Sequence, residues 1–111
     1  LAIGNPADGF FALKTIKETK GSAQAATDEE IVDGMRLLAE TEGIFAETAG
    51  GVTIAGLKHL VKSGAIKRNE LTVAYITGGG PRTQEIVSDV VKPFVVQPNL
   101  ESFQEVLAGQ I

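Results

Sequence analysis

Two stretches of this sequence place a hydroxyl beside glycines where an apolar run gives way to a helical pattern. They are Glu47-Thr48-Ala49-Gly50-Gly51 and Thr77-Gly78-Gly79-Gly80. Backbone N–H groups at such a junction point outward unshielded, and the helix dipole favours an anion or an electron-rich ring atom there. Thr27 marks a third strand-to-helix junction, without the glycines. A threonine there is also an ordinary helix cap, and glycine-rich strand-to-helix turns occur without any ligand, so spacing alone leaves both readings open. A Walker loop is excluded, because no Gly-Lys-Ser/Thr follows a suitably spaced glycine. The dinucleotide fingerprint is not supported either: the three glycines lack its spacing, and Arg82-Thr83 replace its final small residue. Glu47 stands apart, since a carboxylate closing a buried apolar strand is costly unless it is paired or near a site. His59, flanked by Lys58 and Lys62, reads as a solvated residue on a helix face. With one His and no Cys, a transition-metal site is not expected. The Asp28-Glu29-Glu30 run opens a helix and stabilises its dipole; it is not a pair of acid/base carboxylates.

The elements that must position these residues follow from periodicity. Asp8 caps a first helix through Phe10, Leu13, Ile16 and Lys17, ended by Gly21. Ser22 to Ala26 reads as a short strand. Thr27 and Glu30 form a capping box for a second helix carrying Ile31, Met35 and Leu38, closed by Gly43. Ile44 to Glu47 is a short buried strand, and Thr48 is the next cap. The third helix runs from Ala49 to Lys62, with Gly64 beyond it. Leu71-Thr72-Val73-Ala74-Tyr75-Ile76-Thr77 is the strongest strand signal. Pro81 opens a further helix through Ile86 and Val90. Phe94 to Val96 is an edge strand, and Asn99 caps a last helix, Leu100 to Ala108, ended by Gly109. Short strands alternating with helices predict an α/β fold: a three-layer open sheet, mainly parallel, built of βαβ units. In such a sheet ligands bind beyond the carboxyl ends of the strands, where the junctions above fall.

The chain has 111 residues, one domain's worth, and neither a repeat nor a linker divides it. Apolar residues make up 43% and charged residues 22%, which fits a folded domain rather than a disordered one. Without Cys, a disulfide scaffold is excluded. A net charge of −4 without a basic run speaks against nucleic acid and anionic membranes as partners. No apolar stretch approaches the roughly 20 residues of a membrane span, no signal peptide is visible, and a cytoplasmic location is expected. The chain starts at Leu1 rather than Met, so a longer parent is expected.

Several motifs, in order and at family spacing, carry a resemblance. They are Ile3-Gly4-Asn5-Pro6-Ala7, Thr27-Asp28-Glu29-Glu30-Ile31, Glu42-Gly43-Ile44-Phe45-Ala46-Glu47-Thr48-Ala49-Gly50-Gly51 and Ile76-Thr77-Gly78. From Ile3 to about Ile86 the chain resembles the C-terminal quarter or third of the tryptophan-synthase-β-like, fold-type II family of pyridoxal-phosphate enzymes. The opening motif and Glu47-Thr48-Ala49-Gly50-Gly51-Val52-Thr53 tilt it toward the threonine synthase branch.

The resemblance implies two open α/β domains with pyridoxal phosphate in the cleft between them. A lysine in the N-terminal half holds the cofactor covalently, and a glycine-rich loop in mid-chain holds its phosphate. Thr77 matches the position whose hydroxyl bonds the pyridine nitrogen, with Gly78 beside it. Such a neutral partner makes the ring a weaker electron sink than an aspartate would. Glu47, Thr48 and Ala49 match the segment beside the cofactor ring; Gly4 and Asn5 match a loop bordering the cleft. The implied reaction turns O-phosphohomoserine and water into threonine and phosphate. Gly80-Pro81-Arg82 departs from the family's usual Gly-Leu-Lys, with Arg82 standing in for the lysine's charge near the cleft.

No lysine here lies in the Schiff-base context and the phosphate loop is missing. The chain is therefore expected to be a C-terminal fragment holding no catalytic residue, inactive alone and not binding the cofactor by itself. Residues 1–111 are expected to form one unit of the large cofactor-binding domain. Residues 92–111 form a packing extension docked through Phe94, Val95, Val96, Phe103 and Leu107. Two alternatives stay open: a hydroxy-amino-acid dehydratase fragment, and a non-catalytic binding or assembly module. A sheet cut from its neighbours exposes an edge or apolar face, so the chain is expected to self-associate.

Overall fold

The computed structural model describes residues 1–89 and 94–109. Val90, Lys92 and Ile111, which figure in the expectations above, lie outside the described residues.

Among the described residues are the α-helices α1 (Gly9–Glu18), α2 (Asp28–Glu42), α3 (Thr48–Lys62) and α4 (Leu100–Ala108). Local chemistry sets their ends. At α2 the Glu30 N–H donates to Thr27 Oγ1 at 3.3 Å and the Thr27 N–H donates to Glu30 Oε2 at 2.9 Å, a reciprocal box. Gly43 ends α2 in the left-handed region at φ 68°, a conformation that costs a residue with a Cβ more than it costs glycine. Asn99 caps α4 by accepting from the Ser102 N–H at 2.8 Å. At α3 the cap is Glu47, not Thr48; Thr48 is already the first helical residue.

The helices α2 and α3 pack together and make the core. They approach so closely because glycines meet: a Cβ on Gly34 would lie 2.5 Å from the Gly51 carbonyl oxygen, and one on Gly51 would strike the Ile31 carbonyl. Met35, Leu38, Ile54 and Ala55 are buried along this seam, joined by Ala46 and Val87. Leu37 and Ile76 pack against the same cluster half-buried.

The expected parallel sheet is not formed among the described residues. Among the described residues the only strand-type pairing is an antiparallel bridge, Ala46 to Gly79. Residues 22–26, 71–77 and 94–96 have no backbone hydrogen-bond partner among the described residues. Leu71 is 96% exposed and Tyr75 79% exposed, although their stretch has the highest strand propensity in the chain. The physical reason is that strand propensity measures fit to a pleated surface with neighbours on either side. A strand without neighbours has no ladder, and the described residues supply none. The radius of gyration, 18.7 Å, exceeds the ~13 Å of a compact domain of this length, in keeping with segments that lack partners.

Other departures are local. The helix expected from Pro81 is two 3-10 turns, Gly80–Arg82 and Gln84–Val87, split at Thr83, whose backbone (φ −139°, ψ 35°) is not helical. No residue of α1 is buried, and Phe10 and Phe11 meet edge to face at 5.6 Å. Phe94, Val96, Phe103 and Leu107 gather around a 310 Å³ cavity of their own with Val106, and the four stay substantially exposed. No described helix is long and apolar enough to cross a membrane.

Candidate functional site

The start of α3 and the glycine turn after Thr77 are stitched together. The Glu47 N–H donates to the Gly78 carbonyl at 3.1 Å, and the Gly80 N–H donates to the Phe45 carbonyl at 2.9 Å. The Thr48 N–H donates to Thr83 Oγ1 at 3.3 Å. Two glycines of this seam are closely approached by side chains. A Cβ on Gly78 would overlap the Glu47 carboxylate, and one on Gly80 would overlap the Phe45 ring. The turn therefore lies flush against residues 45–48.

This geometry brings together five of the sequence-predicted residues: Glu47, Thr48, Ala49, Thr77 and Gly78. Glu47, Thr48, Ala49 and Gly78 are half-buried, while Thr77 is exposed at the edge of the seam. Arg82 follows on the same turn with its side chain exposed. Gly4 and Asn5 are not brought in; both are exposed, and the space around Gly4 is open. The adjoining cleft of about 530 Å³ is walled by Ala26, Ile31, Thr48, Val52 and Ile86, with Leu1 and Ala2 at its border.

Thr83 is a contributor that pattern reading missed. Its bond to Thr48 spans 35 residues, and a lone threonine after Pro-Arg carries no local signal of such a partner. Phe45 was legible only as an apolar strand residue; its role as the plate under Gly80 comes from tertiary packing.

The far end of α3 corrects the reading of His59. Its Nε2 lies 2.7 Å from Glu30 Oε1, and its side chain is only 32% exposed. It is an anchored residue rather than a solvated one. Glu30 thus uses one oxygen for the capping box and the other for α3. Its carboxyl is held below the usual range first by the Thr27 N–H bond and then by the His59 bond. Glu29 is lowered as well, chiefly by its own backbone N–H and then by the Thr27 hydroxyl. Both shifts arise at the α2 cap, with His59 adding to that of Glu30, away from the glycine seam.

The seam offers a neutral hydroxyl at Thr77, a half-buried carboxylate at Glu47, and an Ala49 N–H without a hydrogen-bond partner among the described residues. The Thr77 hydroxyl, being neutral, suits the ring nitrogen of a heteroaromatic group and supplies no counter-charge of its own to a pyridinium. The seam is fit to form one wall of a cofactor cleft. Lys58 and Lys62 sit toward the opposite end of α3.

Residues 1–78 match the family model described as pyridoxal-phosphate dependent enzyme. The chain belongs to that family of pyridoxal-phosphate dependent enzymes. Within it, the chain is 39% identical over 111 residues to a threonine synthase of Methanosarcina acetivorans, covering 99% of this chain and 27% of that protein. It is 35% identical to a threonine synthase of a Bacillus species over 113 residues, all of this chain and 32% of the relative. Over 80 residues, 72% of this chain and 20% of the relative, it is 49% identical to a threonine synthase of Methanocaldococcus jannaschii. The chain thus spans less than a third of the length of these curated relatives.

Proposed function

We propose that this chain is the C-terminal portion of a threonine synthase, a lyase that converts O-phosphohomoserine and water into threonine and phosphate. The observation that carries the reading is the seam itself. The two segments expected beside the cofactor ring, 47–49 and 77–78, are 28 to 31 positions apart in sequence and joined by the Glu47 N–H bond to Gly78 at 3.1 Å. The likeness to threonine synthases along the chain supports the same reading.

Pyridoxal phosphate, when bound, supplies the electron sink for carbanion chemistry at the substrate's amino-acid carbons. This chain's part is to bind and orient. Thr77 offers its hydroxyl to the pyridine nitrogen without a charge. Gly78 keeps the turn low enough for that approach. Glu47, Thr48 and Ala49 form the adjoining edge, and Arg82 lines the cleft mouth, with Gly4 and Asn5 on a bordering loop. The covalent and phosphate anchors are supplied by the rest of the parent, so the chain alone is inactive.

The same reading accounts for the unpaired segments. In the whole enzyme, residues 22–26, 44–47, 71–77 and 94–96 enter an open, mainly parallel sheet, and the chain forms part of the large domain, with 92–111 as its terminal extension. By itself it associates through Phe10, Phe11, Leu71, Val73 and Tyr75, all at least 64% exposed. The test is phosphate release from O-phosphohomoserine by the whole protein carrying this chain. One phosphate per threonine formed is expected; a loaded enzyme releasing none would refute the reading.

A further inference from the structure

The seam leaves one polar residue that the proposed function does not use. Thr83 lies between the two 3-10 turns, half-buried. Its own N–H donates to the Gly80 carbonyl at 2.9 Å, and its carbonyl accepts from the Ile86 N–H at 3.1 Å. Its backbone is therefore tied at both sides. The hydroxyl accepts from the Thr48 N–H, one of the donors at the start of α3 that has no carbonyl partner within the helix.

We infer that Thr83 is a positioning residue: its hydroxyl holds the first residue of α3 against the glycine turn and so sets the spacing between Thr48-Ala49 and Thr77-Gly78. Two backbone bonds, Glu47 to Gly78 and Gly80 to Phe45, fix the seam on the side before the helix. The Thr48–Thr83 bond is the contact that carries the seam into α3 itself. Without it, the α3 start pivots about Glu47, and the Ala49 N–H changes its aim relative to Thr77. Glu47 cannot take over as a capping side chain, because it makes no cap bond and its carboxylate lies against Gly78.

This inference rests on the cofactor-wall reading, so the experiment separates the two. In the whole enzyme, Thr83→Val keeps the shape and removes the acceptor, while Thr83→Ser restores it. Amide exchange at Thr48 and cofactor affinity by visible absorbance are both measured. The Val variant is expected to raise Thr48 exchange about fivefold, the equivalent of one neutral hydrogen bond, and to weaken cofactor binding severalfold. The Ser variant is expected to restore both. Unchanged exchange in the Val variant overturns the inference; so does faster exchange with unchanged cofactor affinity, or failure of Ser to rescue. A wild-type enzyme that takes up no cofactor refutes the cofactor-wall reading instead, and the exchange rate still reports the Thr83 bond.

Discussion

Gly34→Ala is the sharpest perturbation of the helix pair that supports the site. The new Cβ would lie 2.5 Å from the Gly51 carbonyl oxygen, 3.2 Å from its carbonyl carbon and 3.3 Å from its Cα. A close carbon–oxygen contact needs about 3.3 Å, so α2 and α3 must part by close to ~0.8 Å. All three opposing atoms are backbone, so no rotamer change relieves the clash. Parting the helices also loosens Met35, which packs beside Gly51. Overpacking of this kind costs about 1–3 kcal/mol, and the rigid partners place it in the upper half of that range. Alanine returns about 1 kcal/mol of helix propensity. The net expectation is a loss of about 1–2 kcal/mol. Gly56→Ala on α3 is the control: its Cβ would meet only Gln24 Cβ at 3.8 Å, an ordinary contact. It is expected to gain up to about 1 kcal/mol. Urea titration of helicity at 222 nm reads both. A Gly34→Ala midpoint at or above wild type would refute the close-packing account, as would a Gly56→Ala midpoint that falls with it.

Acid should unwind the start of α2. Glu29 and Glu30 are lowered in the folded chain, so their contribution is complete above the ordinary glutamate value of about 4.3 and is lost as pH falls through their lower folded values. Helicity should hold down to that value and drop below it, with a smaller drop in Glu30→Gln; a wild-type loss centred well above it would contradict the capping assignment. The isolated chain should scatter light as a dimer or larger, and Leu71→Lys with Val73→Lys should shift it toward monomer. A monodisperse wild-type monomer would count against the exposed segment as a sticking surface.

Much of the helical frame was legible because its signals are local. The Thr27-Glu30 box, Gly43 and Asn99 act within three or four residues of where they stand, and each ends or starts a helix as read. The strands were not legible because a strand is a relation between segments. Residues 71–77 have the composition of a buried strand, yet their exposure follows from missing neighbours. The same distinction explains the site. Glu47, Thr48 and Thr77 were picked out by sitting at junctions, but the Thr48–Thr83 bond and the Glu30–His59 pair join residues 35 and 29 positions apart. His59 read as solvated because its own helix surrounds it with lysines; the partner that anchors it comes from α2. Pro81 was compatible with a helix start, and the chain instead turns at Thr83, where the hydroxyl meets α3.

The most direct measurement is a pyridoxal-phosphate titration of this chain, alone and then with the N-terminal portion of its parent, followed by visible absorbance and borohydride reduction. No cofactor band with the chain alone, and a reducible band regained on adding the N-terminal portion, is the predicted result. A reducible adduct on a specific lysine of this chain by itself would contradict the assignment of the Thr77 seam as one wall of a site anchored elsewhere.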